Sequence, residues 1–216
     1  MGLVYYPLQS NIKYMKHKGD VFFKNAMQVL FKNSAKVVDI GGGLRIDPKK
    51  NNRSLQNTWL KPLVEQVDYC VLDKVSSYNP DVIGDIHNLP FKDNSVDAFI
   101  CISVLEHVEE PQKAMKEMYR VLKPGGYCYL WVPFLFYYHP EKGYYQDFYR
   151  FTIDGVKYLA RDFSSVETCN SRGALATVFN LFPIFSKRTE FFSFFDRLLG
   201  KSESNQTSGY HVLCIK

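Results

Sequence analysis

Four short stretches of this sequence carry side chains suited to a site for a nucleoside-like cofactor, and they lie at 39–43, 73, 84–86 and 103–107. Asp39 is followed closely by three consecutive glycines at 41–43, and such a turn lets the backbone approach a ligand. Asp73 could accept hydrogen bonds from two vicinal ribose hydroxyls. Asp85 could accept one from an exocyclic amine such as that of adenine, with Ile86 beside it as an apolar wall. Together these residues predict a nucleoside pocket.

Each of these stretches follows an apolar, largely β-branched run that predicts a buried strand. The predicted strands are 37–40, 69–72, 81–83, 96–102, 127–132, 163–168 and 211–215, and the principal helices are 20–31, 60–67, 111–122 and 152–160. Strand and helix alternate at the spacing of βαβ units, which favours a largely parallel sheet covered by helices. Ligands bind outside the carboxyl ends of such strands, so we expect the four stretches to meet there.

The domain organisation follows from the absence of a dividing linker. We predict one domain over 1–216, with a helical cap at 1–35 and insertions at 134–151 and 170–200 on the acceptor side. Asp20 after Gly19 is the predicted N-cap of the first helix. The apolar stretch 174–199 is interrupted by Pro183 and charged residues, so it should not span a membrane.

Composition narrows the function further. The net charge is +5, and residues 1–36 alone carry six lysines against one aspartate. That basic segment favours nucleic acid, an anionic membrane surface or, more simply, a solvated lysine-rich helix. The five cysteines are dispersed, which indicates free thiols in a reducing cytoplasm and predicts no metal site. No P-loop is present, and Arg45 interrupts the dinucleotide-binding glycine pattern.

Five ordered motifs carry a family resemblance. They are Val-Val-Asp-Ile-Gly-Gly-Gly at 37–43, Val-Leu-Asp at 71–73, Gly-Asp-Ile-His-Asn-Leu-Pro-Phe at 84–91, Ser-Val-Asp-Ala-Phe-Ile-Cys-Ile-Ser-Val-Leu-Glu-His-Val at 95–108, and Arg-Val-Leu-Lys-Pro-Gly-Gly at 120–126. The chain thereby resembles class I methyltransferases that use S-adenosylmethionine. The resemblance covers about residues 36–133 and implies a Rossmann-like, doubly wound, mostly parallel seven-stranded sheet with helices on both faces.

The same resemblance implies a set of cofactor-binding residues. They are Asp39, Gly41, Gly42, Gly43, Asp73, Lys74, Asp85, Ile86 and Ser103. Two departures from the pattern are Arg45, where a third alternate glycine is usual, and an insertion at 45–57. Arg45 could therefore lie near the methionine carboxylate of the cofactor.

Candidate residues for acceptor binding and for a general base lie just after the predicted strands 96–102 and 127–132. His139, Asp147 and His107 are the candidate catalytic residues, with Glu106 as a further candidate base. The aromatic loop 133–151 resembles one in bacterial methyltransferases of surface-polysaccharide and other small-molecule pathways. Its predicted substrate-binding residues are Tyr138, Tyr145, Tyr149 and Arg150, where Arg150 could pair a phosphate or Asp147.

The resulting functional hypothesis is O-methylation of a sugar, a nucleotide-sugar or a related metabolite. Methylation of RNA or protein is the second hypothesis, and a cofactor-binding scaffold without catalysis is the third. We expect a small-molecule acceptor, no nucleic acid and no membrane insertion. We expect the aromatic 174–199 region to pack in the core and cap the acceptor site; the alternatives are that it forms a homodimer face or rests on a membrane.

Overall fold

A computed structural model describes residues 17–44, 46, 55–182 and 189–216 of the chain. Arg45, most of the predicted 45–57 insertion, Pro183 and the first sixteen residues of the predicted cap lie outside these residues. The strands are β1 (Lys36–Ile40), β2 (Asp68–Asp73), β3 (Val82–Ile83), β4 (Val96–Ile102), β5 (Leu122–Pro133), β6 (Ser165–Asn170) and β7 (Gly209–Ile215). The α-helices are α1 (Lys18–Lys32), α2 (Lys61–Val64), α3 (Pro111–Val121), α4 (Ile153–Leu159), α5 (Ala174–Asn180) and α6 (Thr189–Leu198).

The strands form a single seven-stranded sheet in the order β3-β2-β1-β4-β5-β7-β6. The pairs from β3 to β5 are parallel, whereas β7 runs antiparallel to both β5 and β6. The chain leaves β1 toward β2 and β3 on one side and returns to β4 on the other. This reversal opens a crevice at the carboxyl ends of β1 and β4, the usual ligand site of such sheets. The predicted mostly parallel sheet is confirmed.

Helices cover both faces because side chains alternate along the strands. On one face Val37, Ala98 and Ile100 pack with residues of α1, among them the fully buried Leu30. On the other face, Val38, Phe99, Cys101 and Cys128 pack with Met115 and Met118 of α3 and with Val156 of α4. The five cysteines are free thiols, three of them buried and two half-buried. The predicted doubly wound arrangement is therefore confirmed.

Helix α1 begins before its predicted cap. His17, not Asp20, is the N-cap residue, and Asp20 lies in the first turn, 3.2 Å from the Arg172 guanidinium. A Cβ at Gly19 would lie 2.8 Å from the His211 ring and 2.9 Å from the Ser171 carbonyl oxygen. Gly19 therefore serves close packing of the helix on the sheet and does not mark the helix boundary.

Strand β5 is longer than predicted. The Lys-Pro-Gly-Gly run at 123–126 lies inside it, because Val96 pairs with Leu122 while Ala98 pairs with Tyr127. The extra residues form a bulge, with Gly125 in the left-handed region at a φ of 77°. The Pro-Gly-Gly sequence, which predicts a turn between helix and strand, therefore forms a bulge within β5.

Helices α5 and α6 pack against each other. The Phe179 and Phe192 rings stack with their centroids 3.8 Å apart. The buried Asp196 carboxylate accepts hydrogen bonds from the Leu175 and Ala176 N–H groups and so caps α5. Phe191 is largely exposed. Among the described residues, no helix combines the length and apolar character that crossing a bilayer requires.

Candidate cofactor and acceptor site

Asp39, the penultimate residue of β1, stabilises the glycine turn through hydrogen bonds to its backbone. Its carboxylate is fully buried and accepts hydrogen bonds from the N–H groups of Gly43 and Leu44, each at 3.1 Å. The Tyr69 hydroxyl donates a third hydrogen bond at 2.6 Å. The structure therefore places Asp39 where it shapes the loop that would face a cofactor.

Burial raises the pKa of Asp39 to about 6, although hydrogen bonds from Tyr69, Leu44 and Gly43 act in the opposite direction. The folded protein thus holds this proton more tightly than the unfolded chain does. The associated stabilisation is full below the ordinary pKa of 3.8 and is lost as pH rises through about 6. The loss amounts to about 3 kcal/mol.

Replacing Tyr69 with phenylalanine should sharpen this pH dependence. The substitution removes a donor to the carboxylate, so the free energy of unfolding should fall by about 1.5 kcal/mol near pH 8 and by less near pH 4. Urea unfolding at both pH values measures the difference. Asp39→Asn, which lacks the titrating group, is the reference. Equal losses at both pH values would contradict the role given to Tyr69.

The glycine turn requires residues without side chains. Gly41 and Gly42 lie in the left-handed region, at φ values of 76° and 61°. A Cβ at Gly41 would lie 2.7 Å from Val104, and one at Gly43 would lie 2.7 Å from Ile102. The turn therefore packs directly against the end of β4 and presents backbone, not side chains, to the crevice.

The acids predicted to bind the nucleoside lie at the same edge of the sheet. The Gly41 N–H donates to the Leu72 carbonyl at 2.8 Å, and the Gly84 N–H donates to the Asp73 carbonyl at 3.0 Å. These bonds align the ends of β1, β2 and β3. The Asp73 carboxylate is half-buried and accepts the Val75 N–H at 2.8 Å, and burial raises its pKa. Lys74, next in the chain, is exposed.

Asp85 and Ile86 form the far side of this edge. Burial alone would raise the pKa of Asp85, but hydrogen bonds from the His87 N–H and ring at 2.8 and 2.7 Å lower it overall. The Ile86 side chain is buried with Leu89 in the core cluster. A carboxylate beside an apolar wall fits the edge and face of a nucleobase. On the opposite side of the crevice, Ser103 has a left-handed φ of 54° directly after β4.

A second cluster lies just beyond β4. Glu106 is fully buried in a single 3-10 turn, and its Oε1 lies 3.9 Å from Nε2 of His107 and 3.6 Å from Nε2 of His139. The two imidazole rings meet edge to face, with their centroids 4.9 Å apart. The Glu106 carboxylate raises the pKa of His139, against the effect of burial. The structure thus brings together His107 and His139, which lie 32 positions apart in the sequence.

Asp147 and Arg150 hold the loop that carries His139. Asp147 accepts two hydrogen bonds from Arg150, at 2.5 and 2.7 Å, and one from the His139 N–H at 2.8 Å. The Arg150 contact keeps the pKa of Asp147 near 2. Arg150 also donates to the carbonyl oxygens of Phe136, Tyr137 and Tyr149, so all five of its N–H groups are engaged. The structure therefore pairs Arg150 with Asp147, and a substrate phosphate could reach it only by replacing one of these bonds.

Aromatic residues of the same loop border a cleft of about 550 Å³. His107, Tyr145 and Lys74 line it together with Glu109 and residues 140–144. The Tyr145 ring lies 4.4 Å from the His107 ring. Tyr149 donates its hydroxyl hydrogen to the Glu109 carbonyl at 2.8 Å, which leaves its ring at the surface. Tyr138 is 74% exposed and, unlike Tyr145, does not line the cleft.

The sequence predicted Glu106 only as a further candidate base, whereas the structure places it at the centre of the histidine cluster. A glutamate directly before a histidine, just past a strand, was recognisable as a candidate base. Its complete burial could not be recognised from the sequence, because the cover is formed by loop residues 146–149. The Phe148 and Tyr149 N–H groups donate to the Glu106 backbone carbonyl, and His107 Nδ1 lies 2.6 Å from the Gln146 carbonyl oxygen. That cover comes from a segment about 40 residues away in the chain.

Comparison with known proteins bears on this geometry. Residues 38–130 match a family model described as a methyltransferase domain. The ubiquinone/menaquinone biosynthesis C-methyltransferase UbiE of Neisseria meningitidis is 32% identical over 152 residues, which are 63% of this chain and 58% of that relative. The demethylmenaquinone methyltransferase of Paenarthrobacter aurescens is 56% identical over 45 residues, 21% of this chain and 18% of that relative. The chain thus spans less than two thirds of either relative.

A solved structure shows the same fold over nearly the whole chain. The S-adenosylmethionine-dependent methyltransferase from Archaeoglobus fulgidus superposes with a TM-score of 0.58 at 12% identity. The superposition covers 92% of this chain and 95% of that one. The matched family region, residues 38–130, contains the glycine turn, the two acids and the Leu-Glu-His turn described above.

Proposed function

This chain carries a class I S-adenosylmethionine-dependent methyltransferase domain, and on that premise we propose that the protein methylates an oxygen atom of a small polar acceptor. The single observation that carries the proposal is the juxtaposition of a nucleoside-shaped edge, formed by Asp73 and Asp85, with a polar cleft lined by His107. The first would hold the cofactor and the second the acceptor.

The residues along the sheet edge fit this cofactor. Asp73 would accept the ribose hydroxyls, while Asp85 and Ile86 would meet the adenine. The backbone of Gly41 to Gly43 would face the methionine part. When bound, S-adenosylmethionine supplies a methyl group already activated by its sulfonium, so the protein has chiefly to align the acceptor.

The cleft favours a hydrophilic acceptor. Its lining includes the charged side chains of Lys74, Glu109 and Glu141 as well as the tyrosine rings. Flat rings with hydroxyl groups suit sugar faces, and Lys74 could attract a phosphate of a nucleotide-sugar. The charged lining is ill-suited to a long apolar tail, because burying these groups unpaired would be costly.

A neutral hydroxyl acceptor must lose its proton, and the histidines are the residues suited to take it. The Nδ1 atoms of His107 and His139 lie within hydrogen-bonding distance of backbone carbonyl oxygens. Since a carbonyl can only accept, each Nδ1 carries the hydrogen and each Nε2 keeps a free lone pair in the neutral ring. Asp147 is a poor base, because Arg150 holds its pKa near 2; its role is to position His139.

Methylation of a carbon atom in a quinone-type ring is the second candidate. The names of both curated relatives favour it, since one is a C-methyltransferase of ubiquinone and menaquinone biosynthesis and the other acts on demethylmenaquinone. The aromatic lining of the cleft would also accept a planar ring. RNA or protein as acceptor has weaker support, because lysines and arginines balance aspartates and glutamates from residue 37 onward.

Transfer of a radioactive methyl group from S-adenosylmethionine tests these alternatives. The acceptors are nucleotide-sugars, a demethylated quinol and total RNA, with Asp73→Ala as the binding-deficient control. We expect labelled nucleotide-sugar that loses its label on ether cleavage. Label in the quinol alone would favour carbon methylation. Calorimetric binding of the cofactor without transfer to any acceptor would favour the non-catalytic scaffold. The single-domain organisation, the cytoplasmic location and a homodimer remain predictions.

A further inference from the structure

The Glu106 carboxylate has an unusual environment. Its side chain is fully buried, and neither of its oxygen atoms has a hydrogen-bond partner among the described residues. An isolated buried carboxylate is strongly disfavoured unless a positive charge or a metal ion compensates it. The nearest atoms that could share such a charge are the Nε2 atoms of His107 and His139, which lie too far away for hydrogen bonds.

Both histidine rings are oriented as metal-binding histidines are. Nδ1 of His107 lies 2.6 Å from the Gln146 carbonyl, and Nδ1 of His139 lies 2.9 Å from the Tyr137 carbonyl. These contacts fix the tautomer and turn each Nε2 toward Glu106. An Asp147 carboxylate oxygen, 3.2 Å from Nδ1 of His139, adds the carboxylate support typical of such sites.

The spacing of the three groups matches a small coordination sphere. One ligand atom from each residue can be chosen so that all three lie within 4.8 Å of one another. Two ligands about 2.1 Å from a tetrahedral ion lie about 3.4 Å apart. Side-chain movements of about one ångström would therefore bring all three atoms to bonding distance.

We propose that Glu106, His107 and His139 bind a divalent transition-metal ion, through one carboxylate oxygen and two imidazole nitrogens. Two nitrogen donors and one oxygen suit Zn²⁺, Fe²⁺ or Co²⁺ better than Mg²⁺ or Ca²⁺, which prefer all-oxygen sites. This revises the expectation, based on cysteine spacing, that the chain has no metal site. Three protein ligands leave coordination positions open, as in catalytic and not structural sites.

The open coordination positions suggest a role for the ion in methyl transfer. This part of the inference rests on the proposed function. His107 lines the cleft, so the ion would be reached from the acceptor side. With both Nε2 lone pairs bound to the ion, the histidines would no longer accept the proton. The ion would instead hold an acceptor through its oxygen atoms and lower the pKa of a coordinated hydroxyl, whose proton would pass to solvent water. The favoured acceptors are accordingly those that offer two neighbouring oxygens, such as a vicinal diol.

Titration of the chelator-treated full-length protein with Co²⁺ tests the site directly. We expect one equivalent to bind, with visible absorption bands typical of mixed nitrogen and oxygen ligands. Glu106→Gln and His139→Gln should each weaken binding by about 100-fold, in line with loss of a ligand bond. His17→Gln replaces a histidine outside the cluster and should bind as the wild type does. Circular dichroism confirms that each variant is folded.

The outcomes separate this proposal from the proposed function. Absence of stoichiometric Co²⁺ binding, or equal affinity in the wild type and both cluster variants, would overturn the metal site. Calorimetry with S-adenosylmethionine on the same metal-free samples reports cofactor binding independently. Loss of cofactor binding alone would overturn the methyltransferase assignment and leave the metal site standing.

Discussion

Asp73→Ala is expected to weaken the binding of S-adenosylmethionine by about 100-fold. The carboxylate lies at the carboxyl end of β2, level with the glycine turn and with Gly84. It is half-buried, and burial raises its pKa, so the folded protein already bears a cost for keeping this charge in place. Two charge-assisted hydrogen bonds to ribose hydroxyls would offset that cost when the cofactor binds.

Isothermal titration calorimetry with S-adenosylmethionine and with S-adenosylhomocysteine measures this effect. Both ligands carry the same ribose, so both should lose affinity equally. Asp68→Ala is the matched control, because Asp68 lies at the opposite end of the same strand and its side chain is 70% exposed. A loss below about fivefold in Asp73→Ala, or a comparable loss in Asp68→Ala, would exclude ribose recognition by Asp73.

Arg150→Met should lower the free energy of unfolding of the acceptor loop by about 3 kcal/mol. The substitution leaves the Asp147 side chain, which is fully shielded from solvent, without its guanidinium partner. It also removes hydrogen bonds to the carbonyl oxygens of Phe136, Tyr137 and Tyr149. A buried charge left without its partner lowers the free energy of unfolding by more than the intact pair raised it. Arg150→Met is therefore the most destabilising single substitution that we expect in the loop.

Urea unfolding and hydrogen exchange at the Phe148 and Tyr149 amides report the global and local effects. Arg161→Met is the control, since the Arg161 side chain packs against the exposed Tyr158 ring and donates to the Tyr158 carbonyl. Adding Asp147→Asn to Arg150→Met removes the orphaned charge and should recover about half of the lost free energy. If Arg150→Met destabilises no more than Arg161→Met does, the pair contributes no more than a surface contact.

Sequence alone predicted the parts of the site that depend on local pattern. The run 96–102 was predicted as a strand, and β4 has those bounds because alternating apolar residues face two cores. The acids at the ends of β2 and β3 followed from the parallel topology, since it brings the carboxyl ends of the strands to one edge. The chain reversal after β3 then placed the crevice between β1 and β4.

The acceptor side was less predictable because its contacts are non-local. The pairing of Arg150 with Asp147 was one of two alternatives, and only the fold shows that all the guanidinium N–H groups are used within the loop. The enclosure of Glu106 depends on the 146–149 segment. Likewise, the sequence suggested that Gly19 marks a helix boundary. The structure shows instead that a glycine is needed there because α1 lies in close contact with β6 and β7. Each case depends on a partner far away in sequence.

The antiparallel β7 has a consequence for the order in which the sheet is built. During synthesis, β3, β2, β1, β4 and β5 can pair once residue 133 has emerged, because each neighbour comes from within that segment. Strand β6 has β7 as its neighbour in the sheet, so it waits until residues 209–215 are available. Until then β5 presents an open edge at which unpaired backbone groups can associate with other chains. The strands that form the cofactor edge can thus be in place before β7 closes the sheet.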